Sequence, residues 1–169
     1  MRRYDLGDPD LDERIRRLAA DAVAGHGHEH EDADLITEML VTTLKLYRDH
    51  SDRANLKLVN AALKEMRYSF VVFSPYRAVR KVSVFGSART PTDDPNYRLA
   101  LDLARHMAHD RGWMGITGAG PGTMEAANQG AGGDASFGVN IRLPFEAAAN
   151  PYVDEARLIN FKYFFTRKL

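Results

Sequence analysis

The chain has 169 residues, 23 Lys plus Arg against 23 Asp plus Glu, 44% hydrophobic residues and no cysteine, which suffices for a core of ordinary size. Zero net charge excludes binding to nucleic acid or anionic membrane through bulk positive charge, and the missing thiols exclude a disulfide framework, a thiolate zinc site and a cysteine nucleophile. No apolar run approaches the roughly 20 residues that span a bilayer, and the start Met1-Arg-Arg-Tyr-Asp5 leads into charge, so the expectation is a cytoplasmic protein that touches no membrane.

Two compositions meet near Pro75. Over 8–68 the apolar residues follow a helical period, whereas from Lys81 onward short β-rich runs alternate with helical ones and glycine becomes frequent. The predicted organisation is an N-terminal helical extension over 1–76 and the N-terminal part of a Rossmann-like nucleotide-binding domain over 77–169. In the extension, Asp8-Pro9 supplies an N-cap and first-turn proline for a helix whose stripe is Leu11, Ile15, Leu18, Ala19, Ala22 and Val23. A second helix carries Leu35, Ile36, Met39, Leu40, Thr43, Leu44 and Tyr47 on one side. Ser51 or Asp52 caps a third with the stripe Leu56, Val59, Leu63 and Met66. These read as packing helices without chemistry of their own.

In the second stretch, 81–85 is a β-rich run closed by Gly86-Ser87, and Asp94-Pro95 announces a helix with Tyr97, Ala100, Leu101, Ala104, Met107 and Ala108 inward. Gly112 ends that helix, 113–117 reads as a second strand, 123–131 as a helix, and 137–143 as a third strand stopped by Pro144. Leu158 to Phe161 fits a short strand, and Lys162 starts a helix-compatible segment. Strands joined by helices of this length imply a doubly wound parallel sheet with right-handed crossovers and ligands at the carboxyl ends of the strands. Such sheets have about five or six strands, so three or four imply an incomplete sheet, a fragment or a domain finished by another polypeptide.

The strongest chemical signal is Ile116-Thr-Gly-Ala-Gly-Pro-Gly-Thr-Met-Glu125, a glycine-rich turn between a predicted strand and a predicted helix. Gly118, Gly120 and Gly122 permit close backbone approach, so amides at a helix N-terminus can face a phosphate; a tight turn with no ligand gives the same pattern. The dinucleotide fingerprint needs its third glycine at 123, where Thr123 stands, and Arg142 occupies the place of the ribose-binding acid. That disfavours NAD and leaves NADP open, while the absence of a Lys-Ser or Lys-Thr pair excludes a Walker A loop. A second signal is Phe85-Gly-Ser-Ala-Arg89: Gly86 and Ser87 offer an amide and a hydroxyl to a nucleotide, and Arg89 can pair with phosphate. A strand-ending Gly-Ser is equally common as a plain turn.

Together, Val84-Phe-Gly-Ser-Ala-Arg89, Ile116 through Glu125, Gly138-Val-Asn-Ile-Arg-Leu-Pro-Phe-Glu146 and Asn160-Phe-Lys-Tyr-Phe-Phe-Thr-Arg-Lys168 resemble the LOG (LONELY GUY) family of cytokinin riboside 5′-monophosphate phosphoribohydrolases and related nucleotide nucleosidases, often mislabelled lysine decarboxylases. The resemblance runs from about Arg77 to Leu169, and the helical extension suggests the longer bacterial branch. It implies a Rossmann-like fold, a homodimer or larger assembly, no cofactor, and hydrolysis of a nucleoside 5′-monophosphate to free base and ribose 5-phosphate. The first family motif maps onto Gly118, Gly120, Gly122, Thr123 and Met124, with Glu125 where short members carry glycine; the catalytic arginine maps onto Arg167. The second motif, Pro-Gly-Gly-x-Gly-Thr-x-x-Glu, is absent, so the expectation is that this chain is inactive by itself.

Cleavage of an N-glycosidic bond develops oxocarbenium-like charge, which a nearby carboxylate stabilises; Glu125 and Glu146 are the acids in range of the motifs. Two alternatives keep the same fold: a carrier that binds a nucleotide or phosphorylated cofactor without turnover, and an NADP module. His26, His28 and His30 could grip Zn or Ni, although a polar helix connection needs no ligand. Lys162 and Lys168 lack a pyridoxal phosphate partner pattern, which rejects decarboxylation. The aromatic cluster of Phe161, Tyr163, Phe164 and Phe165 reads as packing or dimer interface.

Overall fold

The computed structural model describes residues 4–24, 32–141 and 148–167. The chain forms two compact units, Met1–Asn60 and Ala61–Leu169. In the first, α1 (Pro9–Val23) begins as its sequence predicts, with the Asp8 carboxylate accepting from the Leu11 amide at 3.1 Å ahead of Pro9. Buried Asp12 adds a second clamp by accepting from the Leu6 and Asp8 amides at 2.9 and 3.2 Å. It packs on α2 (Ala33–Arg48).

The expected buried stripes need correction. Leu18 of α1 and Leu35, Met39, Leu44 and Tyr47 of α2 are exposed, and the buried residue of α2 is Val41. In α3 (Arg53–Phe73), Val59 and Leu63 are exposed while Ala62 and Ser69 are buried. A helical period is shared by faces offset by one residue, roughly 100° around the axis, and the neighbouring element decides which is covered.

The second unit is a Rossmann-like α/β fold, as the alternation of β-rich and helical runs predicts. Strands β1 (Lys81–Ser83), β2 (Met114–Thr117), β3 (Ser136–Ile141) and β4 (Leu158–Phe161) form one parallel sheet in that spatial order. Register pairs Ser83 with Ile116, Thr117 with Gly138 and Asn140 with Asn160. Crossing from β1 to β2, α4 (Pro95–Arg105) is capped by Asp94, continues through a π turn at His106–Asp110 and stops before Gly112, whose φ is 65°. Crossing from β2 to β3, α5 (Thr123–Ala131) matches its predicted limits.

Small side chains let α4 and α5 approach closely. Ala100, Ala104, Ala126, Ala127 and Ala131 form the seam, and Gly130 packs against the Leu101 carbonyl. Ser136, Gly138 and Thr117 turn toward this side of the sheet, where Thr117 and Ser136 bond to Asn128 of α5. The opposite side is covered by the end of α3, whose Phe73 stacks on Phe137 of β3 at 4.5 Å while Tyr76 meets the same ring edge-on at 5.2 Å.

Four limits shift from expectation, among them the start of β2, at Met114 rather than Trp113. β1 stops at Ser83, because after Val84 donates to the Ile116 carbonyl at 2.9 Å the chain peels away and Phe85 is 86% exposed. β3 starts at Ser136 rather than Phe137, and its expected end at Leu143 lies outside the described residues. The last helix, α6 (Phe164–Arg167), begins two residues later than Lys162. Arg157 ties the lower loops by donating to the Gly133 carbonyl, the Tyr76 hydroxyl, Asp134 and Asp154 at 3.0–3.1 Å. Burial would lower its pKa, but the Tyr76 hydroxyl and the two carboxylates outweigh that and raise it. No described helix is long and apolar enough to cross a membrane.

Candidate functional site

The two glycine-containing loops predicted from the sequence meet above β1 and β2. Gly122, with φ 70° and ψ −129°, stands where a side chain is excluded, since a β-carbon there would overlap the Ser87 carbonyl and lie 2.8 Å from the Ala88 carbonyl carbon. Thr123 donates its amide to the Ser87 carbonyl at 3.0 Å and exchanges a hydroxyl hydrogen bond with Thr90 at 3.0 Å. Gly86 fits against the Thr123 side chain with no room for a β-carbon. The turn at Ser87 is closed by its own hydroxyl, which accepts from the Arg89 amide at 3.0 Å. Arg89 itself is exposed, and among the described residues no carboxylate lies within ion-pair distance of it.

At the other end of the loop, Arg167 reaches Gly118. A β-carbon on Gly118 would sit 2.5 Å from Arg167 Nη2 and 2.9 Å from Met124 Sδ, and one on Gly120 would sit 2.8 Å from Met124 Cε. Glycine at both positions therefore makes room for the guanidinium and for a thioether folded over the loop. Of the first-turn amides of α5, Thr123 and Ala126 bond to Ser87 and Gly122; among the described residues no acceptor pairs with those of Met124 and Glu125. Those two donors at the positive end of α5, with the Arg167 guanidinium nearby, suit an anion. The Thr123 amide, expected among the donors, is instead used to join the loops.

Glu125 lies toward α4, where Tyr97 donates its hydroxyl to Gln129 Oε1 at 3.0 Å. Burial first, and then the Glu125 charge, raise the Tyr97 pKa above its ordinary value. Glu146 and Arg142, the three alternating histidines and Lys168 lie outside the described residues. Among the described residues no cluster of three metal-ligating side chains occurs.

Several residues that hold the loop went unnoticed in the sequence. Ala119 adopts φ 58°, a left-handed conformation that a non-glycine residue resists, and it is fully buried. Its amide donates to Thr117 Oγ1 at 2.9 Å and its carbonyl accepts from the Asn150 amide at 2.8 Å. The Asn150 side chain donates to the Gly120 carbonyl at 3.1 Å and to Asn128 Oδ1 at 3.0 Å, and Thr117 donates to the same oxygen at 2.6 Å. Asn-Pro at 150–151 signals a turn, but not its partner in the loop. The helix read as mere packing also contributes: Glu65 of α3 accepts from the Lys162 amide at 2.8 Å and from the Thr166 hydroxyl at 2.6 Å.

Beside the loop, on the α3 side of the sheet, is an apolar cavity of about 400 Å³ walled by Phe70, Phe73, Ile116, Val139 and Phe161, with Gly118 and Arg167 at its polar end. A cationic end next to an apolar recess has the polarity and shape to suit a phosphate ester with a planar body. Comparison of the chain with models of protein families gives no match, and neither does comparison with curated proteins.

Proposed function

We propose that this chain serves the hydrolysis of nucleoside 5′-monophosphates to free base and ribose 5-phosphate, the reaction implied by the resemblance to the LONELY GUY family. The observation that carries it is the Arg167 guanidinium beside Gly118, at the glycine-rich entrance to α5. Phosphate held there supplies binding energy remote from the scissile bond, which orients the ribose and explains a preference for the monophosphate over the nucleoside. In the reaction, a water oxygen bonds to C1′ as the C1′–N bond breaks, and the departing base keeps the electron pair and takes up a proton. A carboxylate facing C1′ would stabilise the positive charge that develops, and Glu125 is the described acid of the loop. The same proposal includes a cytoplasmic location and a homodimer or larger assembly, the assembly checked in solution by light scattering.

Incubation with AMP, CMP, GMP and UMP, followed by an assay of ribose 5-phosphate, tests the activity in a form that also carries the second motif, since this chain by itself is expected to be inactive. Arg167→Ala should lower kcat/KM at least about tenfold, as expected for loss of hydrogen bonds to a charged group. Neither product nor saturable AMP binding would overturn the proposal. Saturable binding without product from the form that carries the second motif would favour the second reading, a nucleotide carrier, which the placement of Glu125 toward Tyr97 supports. Tight NADPH binding in place of AMP would favour a dinucleotide module.

A further inference from the structure

We propose that Glu65 is a positioning residue: by accepting from the Lys162 amide and the Thr166 hydroxyl, its carboxylate fixes the single turn that carries Arg167 over Gly118. The inference rests on the nucleotide-binding role given above to Arg167. The need for such an anchor follows from the turn itself. The described part of α6 is four residues, and the bond from the Arg167 amide to the Tyr163 carbonyl is 3.4 Å long. With only that long bond described within the turn, a tertiary contact adds to its order.

Glu65 supplies that contact with both oxygens. One accepts from the backbone just ahead of α6, 97 residues away in sequence, and the other accepts from Thr166, 101 residues away and immediately before Arg167. Thr166 is buried, and its hydroxyl faces both the Tyr163 carbonyl at 2.8 Å and Glu65 Oε2 at 2.6 Å. Its single proton goes preferentially to the charged acceptor at the shorter distance. Glu65 is in turn held rigidly, since two turns farther along α3 Phe73 stacks on β3. The route from sheet to α3 to Glu65 to Thr166 to Arg167 is continuous. A carboxylate suits both donors because a glutamine would turn its NH2 group toward one of them.

The test combines AMP affinity with amide hydrogen exchange on the full chain. Glu65→Ala should weaken AMP binding about tenfold, the loss of one charged hydrogen bond's worth of positioning, and Glu65→Gln should fall between it and the parent. In the Arg167→Ala background, Glu65→Ala should change the affinity less than about twofold, because a residue acting through Arg167 has nothing left to position. The Lys162 amide should exchange at least about tenfold faster in Glu65→Ala, with Ile116 of β2 unchanged. Should Glu65→Ala unfold, Thr166→Val removes one of the two contacts at nearly constant volume and is read by the same measurements. Unchanged AMP affinity, or an equal loss with and without Arg167, would overturn the proposal. If the parent protein binds no AMP, the nucleotide role fails. The anchor is then judged by exchange alone, standing if Lys162 and Arg167 lose protection together and falling if they do not.

Discussion

Gly122→Ala puts the meeting of the two loops under the most direct stress. At φ 70° and ψ −129° an alanine is strained by about 1–3 kcal/mol. Its β-carbon would overlap the Ser87 carbonyl oxygen and crowd Ala88, both backbone, so relief requires the loops to separate, at a further overpacking cost of about 1–3 kcal/mol. Against this, alanine restricts the unfolded chain and returns about 0.4–1 kcal/mol. The net loss is about 3 kcal/mol, which for a protein of this size lowers the melting midpoint by about 6–12 °C. Calorimetry gives the midpoint, and denaturant titration at an unchanged m-value shows whether the loss is one of native-state stability. Separation of the loops also breaks the bond from Thr123 to Ser87, so the Thr123 amide should lose exchange protection. A variant within about 0.5 kcal/mol of the parent would refute the close apposition of the loops, since surface changes alone fall in that range.

Gly130→Ala should destabilise by about 2 kcal/mol in urea titration although helix propensity favours alanine by about 1 kcal/mol, because the new methyl would run into the Leu101 carbonyl of α4. Tyr97 has its pKa raised in the folded protein, so its contribution is intact below the ordinary value of 10.0 and is lost as pH climbs past it. Thermal melts from pH 8 to 11 should show Tyr97→Phe losing less stability over the top of that range than the parent, and parallel curves would contradict the assignment. Arg157→Lys keeps the charge but not the planar fork that spans Gly133, Tyr76, Asp134 and Asp154, and should cost about 1–3 kcal/mol by denaturant titration.

Where structure is local, the residues announce it. Asp8-Pro9 and Asp94-Pro95 start their helices, α5 spans its predicted residues, and the glycine spacing after β2 marks the turn into α5. That Phe85-Gly-Ser-Ala-Arg89 and the second loop both sit at carboxyl ends of parallel strands was legible too, although not that the two strands are neighbours. What escaped depends on distant partners. Glu65 is the one acid among the charged residues of α3, yet nothing near it in sequence names the donors it meets; they appear only when β4 delivers α6 to the same helix. Asn150 and Asn128 are likewise joined to the loop across 22 to 30 residues. The buried faces of α2 and α3 failed for the related reason that periodicity names a helix without naming its neighbour.

Ala119 holds a backbone shape that an isolated peptide would rarely visit. Thr117 and Asn150 grip its amide and carbonyl from opposite sides, so the strain was already met when the chain folded. In the proposed role an incoming anion would meet a rigid receptor. Its association should release little loop entropy as a penalty, and the free and occupied loops should superimpose closely.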